Sequence, residues 1–408
     1  MPRRHDIDAL RVFAFALLIL YHCAMLYVAD WDFHLKSAYQ GEWLQWPMIV
    51  LNRWRMPLLF LVSGIAIGLA RVEGRRLRFG IARGWRLGLP LVFGMFVVVA
   101  FQAYCEGRAS GHLAPGLGTF LVRYWQVRPW PEGSFTGWEY GITWNHLWYL
   151  AYLLPYTLLL LLAMPVLRRA ASGLAAMSRW RPLAGAVLCV APVAWLAWVY
   201  LSLAPEYPRT HSLFGDWTVH AESLPLFLLG YLVAANGWFW DGVRRARWPT
   251  LALAVLGITV ELSLRWTGLH PLAAPLPEWA VHLPWHDMER WARAAYTWFA
   301  LLAIFGWSRA WLDRPFHWLP YCTEAVFSWY VLHQTLIIVI AYNVAPLRLG
   351  PVLDPLLVVG GTVAGCLVLH EFVVRRSALL RPLFGLKPGR PALPAMQAMP
   401  ARAAESAG

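Results

Sequence analysis

Residues 10–29 read LRVFAFALLILYHCAMLYVA, an apolar run that contains two ionisable side chains, Arg11 and His22. About 20 apolar residues are enough for a helix to cross a hydrocarbon core of about 30 Å. Eleven residues of α-helix advance about 16 Å and make about three turns. Arg11 and His22 are therefore predicted to share one face of a membrane-spanning helix, where ionisable groups normally mark a reaction site or a pathway.

The rest of the chain repeats this apolar pattern. Of the 408 residues, 59% are hydrophobic and 14% are charged, whereas about 25% of the residues in an average soluble domain are charged. The sequence therefore predicts an all-α fold, that of a polytopic membrane protein. About ten transmembrane helices are expected, near residues 10–29, 47–70, 87–105, 146–167, 183–203, 219–240, 249–266, 293–312, 319–341 and 351–373.

Positive charge is distributed unevenly between the predicted loops, and this sets the expected orientation. With the N-terminus in the cytoplasm, most Lys and Arg residues fall in cytoplasmic loops, in agreement with the positive-inside rule. An even number of spans returns the C-terminus to the cytoplasm. We expect one integral-membrane domain over residues 1–385, which begins with an uncleaved signal anchor, and a disordered Pro/Ala-rich cytoplasmic tail over residues 386–408.

Charge and cysteine usage exclude several classes of function. The net charge is +13, but the basic residues are spread over loops, so membrane lipids rather than nucleic acid are the expected anionic partners. The five cysteines are scattered with no CxxC pair, so neither a disulfide nor a metal site is expected. The sequence also has no P-loop, GxSxG, HExxH or GxGxxG motif, which leaves ATP-driven, hydrolytic and dinucleotide chemistry without support.

The shared face of the first helix suits acid–base chemistry. A neutral His22 imidazole could take a proton from a hydroxyl group that enters from outside, and Arg11 at the inner end could bind a phosphate. The alternative is structural: His22 hydrogen-bonds a neighbouring helix, and Arg11 snorkels to the inner surface. Asp8 is three residues before Arg11 and could form a local ion pair with it.

Arg53 and Arg55 lie at the outer end of the second predicted helix, against the positive-inside trend. Two cations at this depth need a partner. That partner is either an anionic group of a ligand, which makes Arg53 a substrate-binding candidate, or one of the carboxylates of Asp30, Asp32 and Glu42.

Arg83 and Arg86 precede the third predicted helix on the inner side. Arginines three residues apart share a helix face and could hold the phosphates of a nucleotide-like donor such as coenzyme A. Their alternative role is that of topology signals that contact anionic lipids.

A polar and aromatic segment opens the fourth predicted helix at the outer surface. Trp144, Asn145, His146 and Trp148 combine aromatic faces with amide and imidazole groups, a combination that suits a carbohydrate. The alternative is an interfacial aromatic belt, which needs no ligand.

Glu222 and His333 are two further candidates, because an ionisable side chain inside a span is costly and usually has a function. Both are candidates for substrate binding. The alternative role for each is a hydrogen bond that pairs two helices.

Six segments of this chain resemble, in order, the integral-membrane acyltransferase 3 family. They are Asp8-Ala-Leu-Arg11 followed by His22, Arg55-Met-Pro-Leu-Leu-Phe-Leu-Val-Ser63-Gly64, Arg83 and Arg86 before Leu-Gly-Leu-Pro90, His146-Leu-Trp-Tyr-Leu, Pro225-Leu-Phe-Leu-Leu-Gly230-Tyr, and Phe327-Ser-Trp-Tyr-Val-Leu-His333. The resemblance spans nearly the whole chain. Within the family, the glucan-modifying succinyltransferase type (glucans biosynthesis protein C) looks most similar.

The resemblance implies a ten-helix enzyme of the bacterial inner membrane, one that takes an acetyl or succinyl group from cytoplasmic acetyl-CoA or succinyl-CoA. The acceptor would be a hydroxyl group of a periplasmic or cell-surface glycan or glycolipid, and no bound cofactor is implied. By the same resemblance His22 is the essential base and Arg11 its paired residue. Arg55, Arg83 and Arg86 are the further functional arginines, and we assign them to the acyl-CoA.

Two other functions are compatible with ionisable residues in membrane spans. A secondary transporter of an anionic small molecule would also use them, although the sequence shows neither an internal repeat nor paired Gly/Pro-broken helices. A structural protein of the envelope would explain the tryptophans but not the shared face of Arg11 and His22.

Overall fold

A computed structural model describes residues 3–70, 72, 74–177, 181–269 and 283–389. Helices account for 76% of the structure, and the described residues contain no strand. The predicted all-α fold is therefore confirmed.

The described residues form α-helices joined by loops and by short 3₁₀- or π-helical turns. In chain order they are α1 (His5–Met25), α2 (Gln45–Leu69), α3 (Arg76–Phe93), α4 (Val99–Ala109), α5 (Leu117–Tyr124), α6 (Trp148–Ala176), α7 (Arg181–Trp198), α8 (Trp217–Val233), α9 (Gly237–Arg245), α10 (Arg247–Leu269), α11 (Trp285–Trp311), α12 (Leu319–Val344), α13 (Gly350–Val368) and α14 (Leu380–Leu383). A π-helical turn, Gly94–Val98, joins α3 to α4, and similar turns extend α7 and α13.

Eight helical segments in the described parts of the chain are long and apolar enough to cross a membrane. The number rises to nine if α8 and α9 form one broken span, because these two helices meet at an angle of 108°. The protein is therefore a multi-pass membrane protein, and the predicted span over residues 219–240 is interrupted between α8 and α9. The helix breaks before Asn236, whose side chain accepts a hydrogen bond from the backbone N–H of Phe239 and so starts a new helix.

The predicted eighth span, residues 293–312, coincides with most of α11 but is not among those eight segments. Tryptophan, tyrosine and arginine side chains reduce the apolar character of this 27-residue helix. It packs closely against α10, whose central face it covers.

Glycine residues let α2 and α8 touch backbone to backbone. A Cβ atom on Gly64 would lie 1.8 Å from the carbonyl oxygen of Phe227, and one on Gly230 would lie 2.2 Å from that of Leu61. Small residues at such crossings are typical of helix packing in membranes. The N-terminal half of α2, which carries Arg53 and Arg55, lies beside α1.

The packed domain extends slightly past the predicted boundary at residue 385. Leu386 is buried, and its N–H donates to the carbonyl oxygen of Arg381 at 2.9 Å. Most of the predicted tail, residues 390–408, lies outside the described residues.

Candidate active site

Three histidines from separate parts of the chain lie against one another inside the bundle. His22 is on α1, His333 is fully buried on α12, and His146 belongs to the short turn that precedes α6. The rings of His22 and His333 stack with centroids 5.1 Å apart, and His146 meets His333 edge-on at 5.0 Å. The fold thus brings together three residues that lie more than a hundred positions apart in the sequence.

Contacts with the backbone fix the tautomers of the His22–His333 pair. Nδ1 of His333 lies 2.7 Å from the carbonyl oxygen of Tyr330, which can only accept, so in the neutral ring Nδ1 carries the proton and Nε2 does not. This Nε2 lies 2.8 Å from Nδ1 of His22, which must therefore donate to it. It follows that Nε2 of a neutral His22 carries a lone pair.

The Nε2 atom of His22 is the reactive end of this chain of bonds. The ring is half-buried, and within the described residues no side chain or backbone group hydrogen-bonds this atom. A basic nitrogen whose ring is oriented by a second group is what general-base catalysis requires. Protonation of Nε2 would strengthen the Nδ1–H bond to His333, because a hydrogen bond from a charged donor is stronger than one from a neutral donor.

A buried polar network surrounds His146. Its Nε2–H donates to the carbonyl oxygen of Val331 at 3.2 Å, and its Nδ1 accepts from the Gln102 amide at 3.3 Å. The Gln102 oxygen in turn accepts from Asn145 at 3.0 Å and from Gln334 at 3.3 Å. Both ring nitrogens of His146 are therefore occupied by hydrogen bonds within the protein. His146 and Asn145 form part of the wall around the histidine cluster.

Sequence reasoning missed Gln102, Gln334 and Tyr330 as parts of this wall. Two signals were available, because Gln334 directly follows His333 and because Gln102 is an amide within an otherwise apolar span. The role of Tyr330 depends on its backbone carbonyl and on a bond from its hydroxyl to the His146 carbonyl oxygen at 2.7 Å. Neither contact has a sequence signature.

Arg11, Arg83 and Arg86 form a second cluster, the inner cluster of the predicted orientation, at the N-terminal end of the α1 face. Arg11 lies near enough for its charge to act on Arg83, Arg86 and Tyr149, and the charge of Arg83 acts on the same tyrosine. None of the three forms an ion pair with a carboxylate in the described residues, and Arg86 is exposed. Three cations without an intramolecular counter-ion form a site suited to a polyanion such as a set of phosphate groups.

The expected ion pair between Asp8 and Arg11 is wrong. Asp8 instead pairs with Arg3 at 2.8 Å, because the extended residues before α1 bring Arg3 back to the first turn of the helix. Arg11 is therefore left available to the inner cluster.

A layer of aromatic rings separates the arginine cluster from the histidines. Phe15, one turn after Arg11, contacts the edge of Tyr330 at 5.2 Å, and Tyr149 meets the same ring at 6.2 Å. Tyr330 lies next to His333, with ring centroids 6.0 Å apart. These ring contacts lie between the two ends of the α1 face.

The structure gives Arg53 an intramolecular partner. Its guanidinium pairs with the fully buried carboxylate of Glu261 on α10, with an Nε–Oε1 distance of 2.6 Å. The alternative of a structural ion pair is therefore supported over a substrate-binding role, and the suggested partners Asp30, Asp32 and Glu42 are wrong. Proximity in sequence favoured those three carboxylates, whereas helix packing brings α10 against α2.

Arg55 lies with the histidines and apart from Arg83 and Arg86, with which the resemblance had grouped it. Its guanidinium carbon lies 3.5 Å from the ring centroid of Tyr21. Tyr21 precedes His22 on α1, and the Arg55 charge acts on His22. This places Arg55 at the C-terminal end of the face shared by Arg11 and His22.

Trp144 and Trp148 hold a loop of the chain itself. The indole N–H of Trp144 donates to the carbonyl oxygen of His211 at 2.9 Å, and the ring of Trp148 stacks on the His211 imidazole at 4.3 Å. Both tryptophans are half-buried. One face of Trp148 is therefore already covered, which limits the carbohydrate-binding surface expected from the sequence.

Glu222 also has intramolecular partners. Its carboxylate pairs with Arg209 at 2.6 Å and accepts from the Tyr200 hydroxyl at 2.6 Å. The side chain is buried within α8, and no contact joins it to the histidine cluster in the described part of the molecule. The helix-pairing alternative accounts for these contacts.

The described residues contain no group of three His, Cys, Asp or Glu side chains that could hold a metal ion. His22, His146 and His333 instead use their nitrogens in the hydrogen bonds described above, apart from Nε2 of His22.

The sequence matches a known family of membrane enzymes. The family model Acyl_transf_3, described as an acyltransferase domain, matches residues 4–371, which is nearly the whole chain. The chain therefore belongs to this acyltransferase family, and the family resemblance of its sequence motifs is confirmed. No curated protein and no solved structure matches the chain.

Proposed function

We propose that this enzyme moves an acyl group from cytoplasmic acyl-CoA to a hydroxyl group of an extracytoplasmic glycan or glycolipid. In this proposal ten spans cross the inner membrane of a bacterium, and both termini are cytoplasmic. The acyl group is acetyl or succinyl, and the motif resemblance to glucan-modifying succinyltransferases favours a glucan as acceptor. The observation that supports the proposal is the α1 face, which has the basic nitrogen of His22 at one end and Arg11 at the other, near Arg83 and Arg86 of α3; none of these three arginines pairs with a carboxylate in the described residues.

In the proposed step, Nε2 of His22 removes the proton from the acceptor hydroxyl, and the hydroxyl oxygen attacks the thioester carbon. The resulting tetrahedral intermediate collapses, the C–S bond breaks, and the proton on His22 passes to the coenzyme A thiolate. The products are an ester and free coenzyme A, so no proton is gained or lost overall. His333 keeps the imidazole in the reactive tautomer throughout.

In this proposal His333 is a positioning residue, which orients the His22 ring. Its replacement should therefore lower the turnover number without weakening substrate binding. His333→Leu removes the acceptor for Nδ1–H of His22, so we expect the turnover number to fall by about 10- to 100-fold, the value of a hydrogen bond to a charged group. KM for acyl-CoA should not change. His333→Gln retains an acceptor oxygen and should recover part of the rate, as measured by coenzyme A release. Equal loss in both variants would contradict the tautomer argument.

The arginine cluster predicts an effect on donor affinity. Arg83→Gln and Arg86→Gln should each raise KM for acyl-CoA by about 10-fold, the value of one charge-assisted hydrogen bond, and leave the turnover number unchanged. An acyl donor that lacks the nucleotide, S-acetyl-N-acetylcysteamine, should be insensitive to both changes.

Arg78→Gln is the matched control for the two arginine variants, because Arg78 is an exposed residue of the same helix. It should not change KM for either donor. An increase in KM for the short donor in Arg83→Gln or Arg86→Gln would show that these residues do not act on the coenzyme A phosphates.

Mass spectrometry of envelope glycans tests the proposed function. Glycans are compared from cells that carry the wild-type gene, a deletion, or a membrane-inserted His22→Ala variant. We expect one O-acyl mass to disappear in both the deletion and the variant, and the mass difference identifies the acyl group. An unchanged set of glycan masses in the deletion strain would overturn the glycan as acceptor and would favour the transport of an anionic molecule.

A further inference from the structure

Arg55 is a buried cation without a counter-ion. Its side chain is only 7% exposed, and both Nε and Nη1 are buried without a hydrogen-bond partner. The third nitrogen, Nη2, has one long contact of 3.4 Å to the side-chain oxygen of Asn52. Within the described residues no carboxylate pairs with this guanidinium.

Neighbouring Arg53 is an example of a buried arginine with a structural role, because a carboxylate neutralises its charge. Arg53 lies on the same helix, two residues earlier, and its charge is neutralised by Glu261. Burial of an unpaired charge is costly, and contact with the Tyr21 ring offsets only part of that cost. The buried and unpaired charge of Arg55 is therefore not explained by packing alone.

The position of Arg55 relates it to the reacting groups. Its guanidinium stacks on Tyr21, whose ring lies 5.8 Å from the His22 ring, so Arg55 and His22 flank the same side chain. The charge of Arg55 also acts on His333. Arg55 is therefore one side chain away from the His22 ring, and it carries two nitrogens that form no hydrogen bond within the described residues.

We infer that Arg55 stabilises the oxyanion of the tetrahedral intermediate. This inference rests on the proposed acyl transfer. When the acceptor oxygen bonds to the thioester carbon, the carbonyl π electrons move to the carbonyl oxygen, and the N–H groups of Arg55 donate to the resulting negative charge. As the C–S bond breaks, the carbonyl reforms and the thiolate leaves with the proton from His22. The guanidinium keeps its own protons throughout.

A fixed donor that waits for the oxyanion lowers the barrier, because it does not need to reorganise when the charge develops. The burial of Arg55 strengthens this effect, since little water is present to screen its charge. The absence of an intramolecular counter-ion is then functional, because a neighbouring carboxylate would compete with the oxyanion.

Kinetics of Arg55→Met in proteoliposomes test the assignment. The donors are acetyl-CoA and succinyl-CoA, and the acceptor is the oligosaccharide fraction extracted from the deletion strain. We expect the turnover number to fall by about 10²- to 10³-fold with both donors, as for the loss of an oxyanion donor, and KM to change by less than about twofold. Arg55→Lys should retain part of the rate because it keeps the charge. The thermal midpoint of Arg55→Met should equal or exceed that of the wild type.

Three results would overturn the assignment. A loss confined to succinyl-CoA would mean that Arg55 binds the carboxylate of the acyl group. A wild-type rate in Arg55→Met, with the wild-type protein active, would exclude a catalytic role while leaving the proposed function intact. No turnover by the wild-type protein with either donor would overturn the proposed function, and this assignment with it.

Discussion

Replacing His22 with alanine is expected to lower the turnover number by about 10²- to 10⁴-fold, the usual contribution of a general base. The reason is structural: Nε2 of His22 is the nitrogen left with a free lone pair once its Nδ1–H is held by His333. The acceptor hydroxyl would lose the group that removes its proton, while Arg83 and Arg86 would still bind the donor. The rate of coenzyme A release by purified protein, measured with and without acceptor, checks this expectation.

His22→Gln is the informative companion to His22→Ala, since glutamine fills similar space but cannot take up a proton. Both variants should lose activity to the same extent. His112→Ala serves as a control, because His112 is an exposed histidine whose side chain, within the described residues, hydrogen-bonds Ser110 alone. Activity of His22→Gln close to that of the wild type would rule out His22 as the base.

The second large effect concerns stability. Arg53→Met is expected to lower the free energy of unfolding by about 3–5 kcal/mol, because removal of one partner leaves a buried charge uncompensated. Glu261 is fully buried, and its Oε2 atom has no hydrogen-bond partner even in the intact protein. The loss should appear as a lower unfolding midpoint in detergent. A thiol-reactive dye can report it, since Cys23, Cys105 and Cys366 are buried and free.

A double variant controls for the lost packing of the arginine. Arg53→Met combined with Glu261→Leu removes both charges, and its unfolding midpoint should return close to that of the wild type. Arg55→Met, two residues further along the same helix, should not lower the midpoint at all, because Arg55 has no ion pair to lose. Equal destabilisation by Arg53→Met and Arg55→Met would contradict the distinction between the two arginines.

Much of the fold could be predicted because a bilayer imposes simple rules on sequence. Long apolar runs give the helices, and even the segment with Glu261, residues 249–266, lies inside one helix, α10. The break at Asn236 could not be read from hydropathy, because a capped break and a continuous span have the same composition. In α11, polar and aromatic residues lower the hydropathy, although several of them, such as Thr297, Trp298 and Ser308, are buried inside the bundle.

The candidate site could be predicted in part. His22 and His333 were identified as candidates because each is a titratable residue inside a predicted span. Their direct contact could not be predicted, because they are 311 residues apart and no local sequence pattern encodes it. The same limit explains Arg53, whose partner Glu261 is 208 residues away. Local spacing suggested nearer carboxylates, and only the packing of α10 beside α2 shows which carboxylate is in reach.

The two ends of the α1 face have different chemical characters, and the sequence already predicted this difference. The spacing of Arg11 and His22 predicted a shared face with one cation and one base. In the structure, Arg83 and Arg86 lie near Arg11 at one end of this face. Arg55 lies near His22 at the other end. Sequence alone could not divide these arginines between the two ends, because side-chain contacts across helices decide it.

Transfer across a sealed bilayer is the most direct test of the central claim, that the donor end and the acceptor end of one helix face opposite sides. Proteoliposomes enclose the oligosaccharide fraction of the deletion strain, and acyl-labelled acyl-CoA is added only to the medium. We predict labelled oligosaccharide inside vesicles whose protein N-terminus faces the medium, and none with His22→Ala. Labelling that occurs only when acyl-CoA and oligosaccharide are on the same side of the bilayer would contradict the account.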